Sequence, residues 1–423
     1  MRFPGVRPII FACALLTLAA RPAHAQDPVA VEETTPERLK ATAQLIDVGD
    51  LWHLARYRTL APPPEPAPSG SHDRRYLVVT PSIGSKPSTG FNAGFSGSVA
   101  FYRGDGETTH ISSIAFGGKL TQKGQETSGI RIGMFTADDH WFIQSDNRLQ
   151  FTSADTYALG ASAASSDGVN LKYNYSRLYE TAYRRVKPGL FVGGGLNVST
   201  HTQVRSGSGA SSNIDESAYL AYTQKHGFDP SGQVSSGTSI GVLFDTRDNA
   251  INADRGWLAN AVYRTFFDGF LGGDATWQTI NLDVRTYRTL TDGGRNKLAF
   301  WFLGNLVTGG TAPFFDLPEI GSDGRSGRGY AEGRFRGEHL LYGEVEYRGT
   351  LTPNGLVGVV AFLNTTTVDN TETGEKLFGS FAPGAGFGFR LLLNKRSRTN
   401  LCTDYGWGKD GSRGFYLSIL EAF

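Results

Sequence analysis

His339-Leu340-Leu341-Tyr342-Gly343-Glu344-Val345-Glu346-Tyr347-Arg348 is the stretch that decides the fold class. Successive side chains of an extended chain point to opposite faces. Leu341, Val345 and Tyr347 therefore share one side of a strand, and Glu344, Glu346 and Arg348 share the other. The pattern returns elsewhere. Phe387, Phe389 and Leu391 oppose Gly386, Gly388 and Arg390; Leu401, Tyr405 and Trp407 oppose Asn400 and Asp404; Ile280, Leu282 and Val284 oppose Asn281, Asp283 and Arg285. Sixteen such segments, separated by Gly, Asp, Asn and Pro clusters, begin near Tyr76, Phe91, His110, Ser128, His140, Leu171, Leu190, Gly237, Gly256, Ala275, Lys297, His339, Gly355, Gly384, Arg398 and Arg413.

Composition fits one large barrel better than a soluble assembly. Gly contributes 54 of the 423 residues, above the ordinary level of about 7%. Mean hydropathy is −0.27, and no apolar run approaches the roughly 20 residues of a membrane helix. A barrel strand shows lipid only every second residue, so it never reads as hydrophobic on average. Aromatic residues gather toward segment ends, as interfacial girdles require; a soluble sandwich would instead turn its apolar face inward. The fold expected is all-β: a transmembrane antiparallel β-barrel of 16 strands over residues 76–423, with a short helical and Pro-rich N-terminal extension.

Residues 1–25 read as a signal peptide. Arg2 and Arg7 form a basic start, Ile9 to Ala20 an apolar centre too short to span a bilayer, and Ala23-His24-Ala25 a small-x-small cleavage site. The expected location is the cell outer membrane, reached by Sec export, with both barrel termini periplasmic. Residues 26–75 read as a periplasmic helix and linker. Thr35-Pro36-Glu37 looks like a helix start leading into Leu39, Ala43, Leu45 and Ile46. A second amphipathic piece is expected over Leu51 to Leu60, followed by the proline-rich stretch 61–70. Removing the signal removes Cys13 and leaves Cys402 mid-strand, which excludes an intramolecular disulfide and favours packing over a reactive thiol.

Short turns (186–189, 352–355, 394–397) alternate with longer connectors near 152–170, 201–236, 309–337 and 365–383. One short side and one long side is the asymmetry of an outer-membrane barrel. Phe415, Leu417, Ile419 and the terminal Phe423 are expected on one face of the last strand, resembling the C-terminal signal read by the barrel-assembly machinery; Glu421 interrupts that face.

Gly321-Ser322-Asp323-Gly324-Arg325-Ser326-Gly327-Arg328-Gly329-Tyr330, between the eleventh and twelfth segments, resembles the sixth extracellular loop of the BamA/TamA-type outer-membrane barrel superfamily, also called the bacterial surface-antigen family. That loop carries an Arg-Gly-aromatic motif folded into the lumen. Asp245-Thr246-Arg247-Asp248-Asn249 followed by Gly256 is similar to the family's strand-turn signature. Gly343 to Arg348 is similar to its twelfth strand, and Gly384 to Arg390 to its Gly-rich fourteenth. All occur in the family's order. A lumen this wide cannot be filled by wall side chains alone, and an Arg carried inward needs a partner. Glu346 is the best partner by parity and matches the family's acid on strand twelve; Glu344 and Arg390 face the same way. The family's second acid sits in a Phe-x-Asp-x-Gly pattern, where this chain reads Phe362-Leu363-Asn364-Thr365-Thr366, leaving Asn364 to accept a hydrogen bond.

The paired acids Asp245 and Asp248 around Arg247 read as a turn tied by an Arg–Asp pair. The eight histidines form no HxH or HExxH arrangement, so no metal site is expected. No Gly-x-Ser-x-Gly elbow is present, and neither catalytic residues nor a cofactor are expected. With 41 basic and 40 acidic residues the chain gives no support to nucleic-acid binding. The resemblance implies insertion of barrel proteins or movement of polypeptide across the membrane, here by a member without POTRA domains, since residues 26–75 do not accommodate one. The expected partners are outer-membrane lipid and lipopolysaccharide, the assembly machinery during biogenesis, and client barrels or a periplasmic partner. A passive or gated channel and a structural or adhesive surface protein are the alternatives.

Overall fold

The computed structural model describes residues 45–60, 75–86, 90–106, 108–122, 124–208, 211–291 and 295–423. The signal segment, the Thr35-Pro36-Glu37 helix start and the proline-rich stretch lie outside them. Sixteen strands form one antiparallel sheet in sequence order: β1 Arg75–Lys86, β2 Gly90–Phe101, β3 Ser112–Thr121, β4 Glu126–Phe135, β5 Trp141–Thr156, β6 Val169–Lys187, β7 Leu190–Ser206, β8 Gly232–Asp245, β9 Gly256–Phe266, β10 Trp277–Thr289, β11 Asn296–Gly310, β12 His339–Thr350, β13 Val357–Val368, β14 Ala382–Asn394, β15 Thr399–Gly408 and β16 Arg413–Ile419. The largest offset from the expected starts is at β8, which begins at Gly232 rather than Gly237.

The sheet curls until β16 lies beside β1, with Cα atoms within 8 Å. Among the described residues no ladder joins the two, so the barrel is nearly closed, with a seam. The outward side carries exposed Leu77, Leu120, Ile240, Leu363 and Phe389. Leu77 and Ile240 keep 63% and 67% of their surface open, an arrangement suited to lipid rather than water. Alternate positions face inward; on β12 the buried set is Leu340, Tyr342, Glu344, Glu346 and Arg348, apolar at one end and charged toward the other, with Tyr347 outside.

The connectors at the end opposite the termini include 157–168, 207–231, 311–338 and 369–381, the four long loops expected. Alternation of length is less regular than the sequence suggests. The β3–β4 and β15–β16 connectors at that end are short, while 102–111 and 246–255 at the termini end are long. The latter uses its length to build a buried pair: Arg247 Nε and Nη2 donate to Asp245 Oδ1 and Oδ2 at 2.9 and 2.7 Å. Asp248 caps the same connector by accepting from the Asp254 amide (2.8 Å) and pairs with Arg398 of the β14–β15 turn (2.8 Å).

Helix α1 spans Val48–Tyr57, overlapping the expected second amphipathic piece (Leu51 to Leu60) but starting and ending earlier. Leu45 and Ile46, expected in the preceding helix, are not helical. The reason is Asp47, whose carboxylate caps α1 in a reciprocal capping box with Asp50. Both carboxylates also hold the barrel rim: Asp47 Oδ2 accepts from the Lys395 amide (3.0 Å) and Asp50 pairs with Lys395 Nζ (2.7 Å). The Ile46 amide donates to Asn354 O at 3.0 Å. The helix sits on the turns joining β12–β13 and β14–β15. A second helix, α2 (Ala218–His226), lies in the β7–β8 loop and is tied to the 311–338 loop by Tyr222 Oη donating to Ala312 O (3.0 Å).

Candidate functional site: the loop folded into the lumen

The 311–338 loop runs inside the barrel. Its first turn buries Phe314, Phe315 and Leu317 against Tyr219, Phe266 and Trp277. Its return buries Tyr330 and Phe335 with Trp301, Tyr342 and Phe423. Between these apolar anchors lies the polar segment that holds the Arg-Gly-aromatic motif. Glycine is required there by backbone geometry. Gly327 and Gly329 have φ of +72° and +110°, where a side chain is strained. A Cβ on Gly329 would also lie 2.7 Å from Trp407 O. The wall yields in turn: a Cβ on Gly406 would sit 2.8 Å from the Gly329 nitrogen. The small residues of β15 let the loop backbone lie directly on the strand.

Arg328 is 3% exposed. Its Nη2 pairs with Glu344 and with Glu346 (2.5 Å), and its Nη1 donates to Asp404 Oδ2 at 2.8 Å. The guanidinium also lies over the Phe362 ring, 3.6 Å from its centroid. Burial alone would pull the Arg328 pKa down, but three surrounding carboxylates hold it well above its ordinary value. The pairs continue outward. Arg348 Nε donates to Glu346 (2.7 Å), and Arg390 donates to Asp404 (2.6 Å) and to Glu421 (2.6 Å). Three arginines and four acids from the loop, β12, β14, β15 and the C-terminal tail thus form one buried network.

The neighbouring residues bind the same elements. The Gly329 amide donates to Tyr416 Oη on β16 (2.9 Å), and Ser412 Oγ donates to Gly329 O (2.7 Å). Tyr330 Oη accepts from the Lys409 amide (2.8 Å) and donates to Pro383 O. The loop therefore contacts the last strand, one side of the seam.

Three sequence expectations need correction. Asn364 does not accept from Arg328; its Nδ2 donates to Arg328 O at 3.0 Å, so it positions the loop backbone. The second strand bearing an acid for Arg328 is β15, through Asp404, which alternation places on the polar face without marking it as a partner. Phe423 does not share a face with Phe415, Leu417 and Ile419. β16 ends at Ile419, and Leu420, with φ +82°, turns the tail inward. Phe423 is then buried, its ring 5.1 Å from that of Trp301, and its carbonyl accepts from Arg348 Nη2 (2.8 Å). The turn explains Glu421 as well: it is buried and bound to Arg390 and Asn400 rather than an interruption of an outward face.

No family model and no curated protein matches the chain. Solved structures do. BamA from Haemophilus ducreyi lacking POTRA domains 1–3 superimposes with a TM-score of 0.51 at 14% identity, over 93% of this chain and 82% of that one. CdiB from Acinetobacter baumannii gives 0.52 at 12% identity, over 82% of this chain and 59% of that one. The fold is thus that of a BamA-like 16-stranded β-barrel.

Proposed function

We propose that this chain is an outer-membrane barrel of the BamA/TamA type that assists insertion of barrel proteins or translocation of polypeptide, with both termini periplasmic. The observation that carries the reading is the seam: β1 and β16 are neighbours without a ladder among the described residues. Unpaired strand edges are templates for a further strand, and an extended client would add there by backbone hydrogen bonding. The inward-held loop supports the same reading, because it grips β16 through Tyr416 and so couples the plug to one edge of the seam. The exposed apolar belt supports placement in a membrane, and the resemblance of the loop motif supports the family.

A photoreactive residue in place of Leu77 on β1 or Phe415 on β16 should crosslink to nascent barrel proteins in cells, whereas one at Leu363 on β13 should not. Depletion should lower other outer-membrane barrels in a quantitative proteome. An unchanged envelope proteome, with equal crosslinking at all three positions, would remove the insertion reading.

A further inference from the structure

The lumen beside the loop holds an excess of guanidinium groups that the Arg328 network does not use. A cavity of about 460 Å³ is lined by seven arginines: Arg247 and Arg285, paired with Asp245 and Asp283, and five more, Arg131 of β4, Arg148 of β5, Arg177 of β6, Arg264 of β9 and Arg325 of the loop. Asp146 serves three of them, at 3.4 Å from Arg131, 2.6 Å from Arg148 and 3.6 Å from Arg177. Among the described residues Arg264 and Arg325 make no ion pair; Arg264 Nη1 donates to the Asn281 side chain, but the Nε atoms of Arg177 and Arg264 are buried without a hydrogen-bond partner. Other acids on this cavity are committed elsewhere: Asp283 to Arg285, Glu319 to Arg336 and Glu421 to Arg390. Asp316 accepts from the hydroxyls of Ser199 and Ser235, and Asp323 Oδ1 caps its own turn. With those pairs set aside, and with Asp316 and Asp323 counted beside Asp146, the five remaining cations face three anions.

Part of this cluster has a structural task. Arg131 Nη2 donates to Asp323 O (2.6 Å) and Arg148 Nη1 to Ser322 O, which seats the loop against the wall. That task does not account for Arg325, which the loop itself brings toward Arg131. Burial beside Arg131 and Arg285 pulls Arg325 down to about 10, the mark of a cation among cations. Concentrating like charges in a walled cavity raises the local concentration of counter-ions, and the planar guanidinium fork fits oxyanions best.

We infer that this cavity is a binding site for a doubly charged oxyanion, a phosphate group being the best match, held by Arg325 together with Arg148, Arg177 and Arg264. The inference does not depend on the proposed insertion activity; it needs only the barrel and the loop in its lumen. The occupant carries its phosphate either free or on a larger molecule.

The test is titration calorimetry of the full barrel in neutral detergent with inorganic phosphate, at two salt concentrations. The parent protein should bind, more weakly at higher salt. R325A should weaken binding about tenfold, the effect of one lost charge-assisted hydrogen bond, and R148A at least as much. R184A, which alters an exposed arginine over Trp141 on the outer wall, should bind as the parent. R325A strands no acid, so its barrel should keep the parent's heat-dependent gel migration. A short-chain phosphatidic acid, whose phosphomonoester carries the second charge, that competes in the parent and not in R325A places the phosphate on a lipid headgroup; absence of competition leaves a soluble phosphate. No heat with the parent, or equal affinity in R325A, R148A and R184A (an adventitious ion only), overturns the proposal.

Discussion

Replacing Arg328 with alanine is the most informative perturbation of the lumen network, because the surviving partners differ in what they have left. Glu346 retains Arg348 at 2.7 Å and Asp404 retains Arg390 at 2.6 Å. Glu344 retains only the Tyr342 hydroxyl and Asn364 at 3.5 Å. One fully buried carboxylate is thus left without a cation, and breaking a buried pair in this way costs about 3–5 kcal/mol. The cost falls on the docked loop and not on the strand ladders, so it appears as loop release. At about 1.4 kcal/mol per factor of ten, the open population should rise by roughly 10²–10⁴. Hydrogen exchange of the amides from Gly321 to Tyr330 reads this directly, with the β5–β6 ladder amides as an internal control. Adding E344Q removes the stranded charge and should recover about 1–3 kcal/mol of the loss. R328K, a single point charge in place of a fork, should fall between parent and R328A. If loop exchange in R328A stays within about threefold of the parent, or if E344Q restores nothing, the electrostatic account of loop docking is wrong.

Two further outcomes follow from the same geometry. The His110 ring in the β2–β3 connector meets Asp139 at 2.6 Å; burial works against its charge, but the carboxylates of Asp139 and Asp245 raise its pKa above the ordinary value. Its contribution is therefore full below about pH 6.5 and is lost as pH rises through the folded value; proton exchange protection of the 102–111 connector should fall on that side in the parent, and H110Q should be flat. G329A should release the loop at a cost of about 1–2 kcal/mol from the left-handed backbone alone, more with the Trp407 contact, whereas G343A on β12 should be silent in the same exchange measurement, since a Cβ there meets nothing within 4 Å.

Strand count, strand starts and inward faces were legible in the chain because a barrel wall is periodic: each residue's neighbours across the ladder are fixed by its parity and by the next segment along. His339 to Arg348 alone assigns which side is polar. The motif Gly327-Arg328-Gly329-Tyr330 was legible through its resemblance to the sixth-loop motif, with the flanking glycines permitting a tight turn against the wall. The partners of Arg328 were legible only in part. Glu346 and Glu344 share one strand with a clear alternation, but Asp404 lies 76 residues away and reaches Arg328 only because the wall closes.

The sequence by itself determined a periodic, two-faced sheet with an arginine-bearing loop, because alternation and glycine placement act over a few residues. Tertiary structure decided what those rules leave open: that Leu420 turns the tail so that Phe423 enters the lumen, that Asn364 donates rather than accepts, and that arginines from five elements line one cavity, three of them at Asp146. Each depends on the distance between segments remote in sequence. Charge interactions across a lumen follow that distance and the burial that accompanies it, and neither is encoded locally.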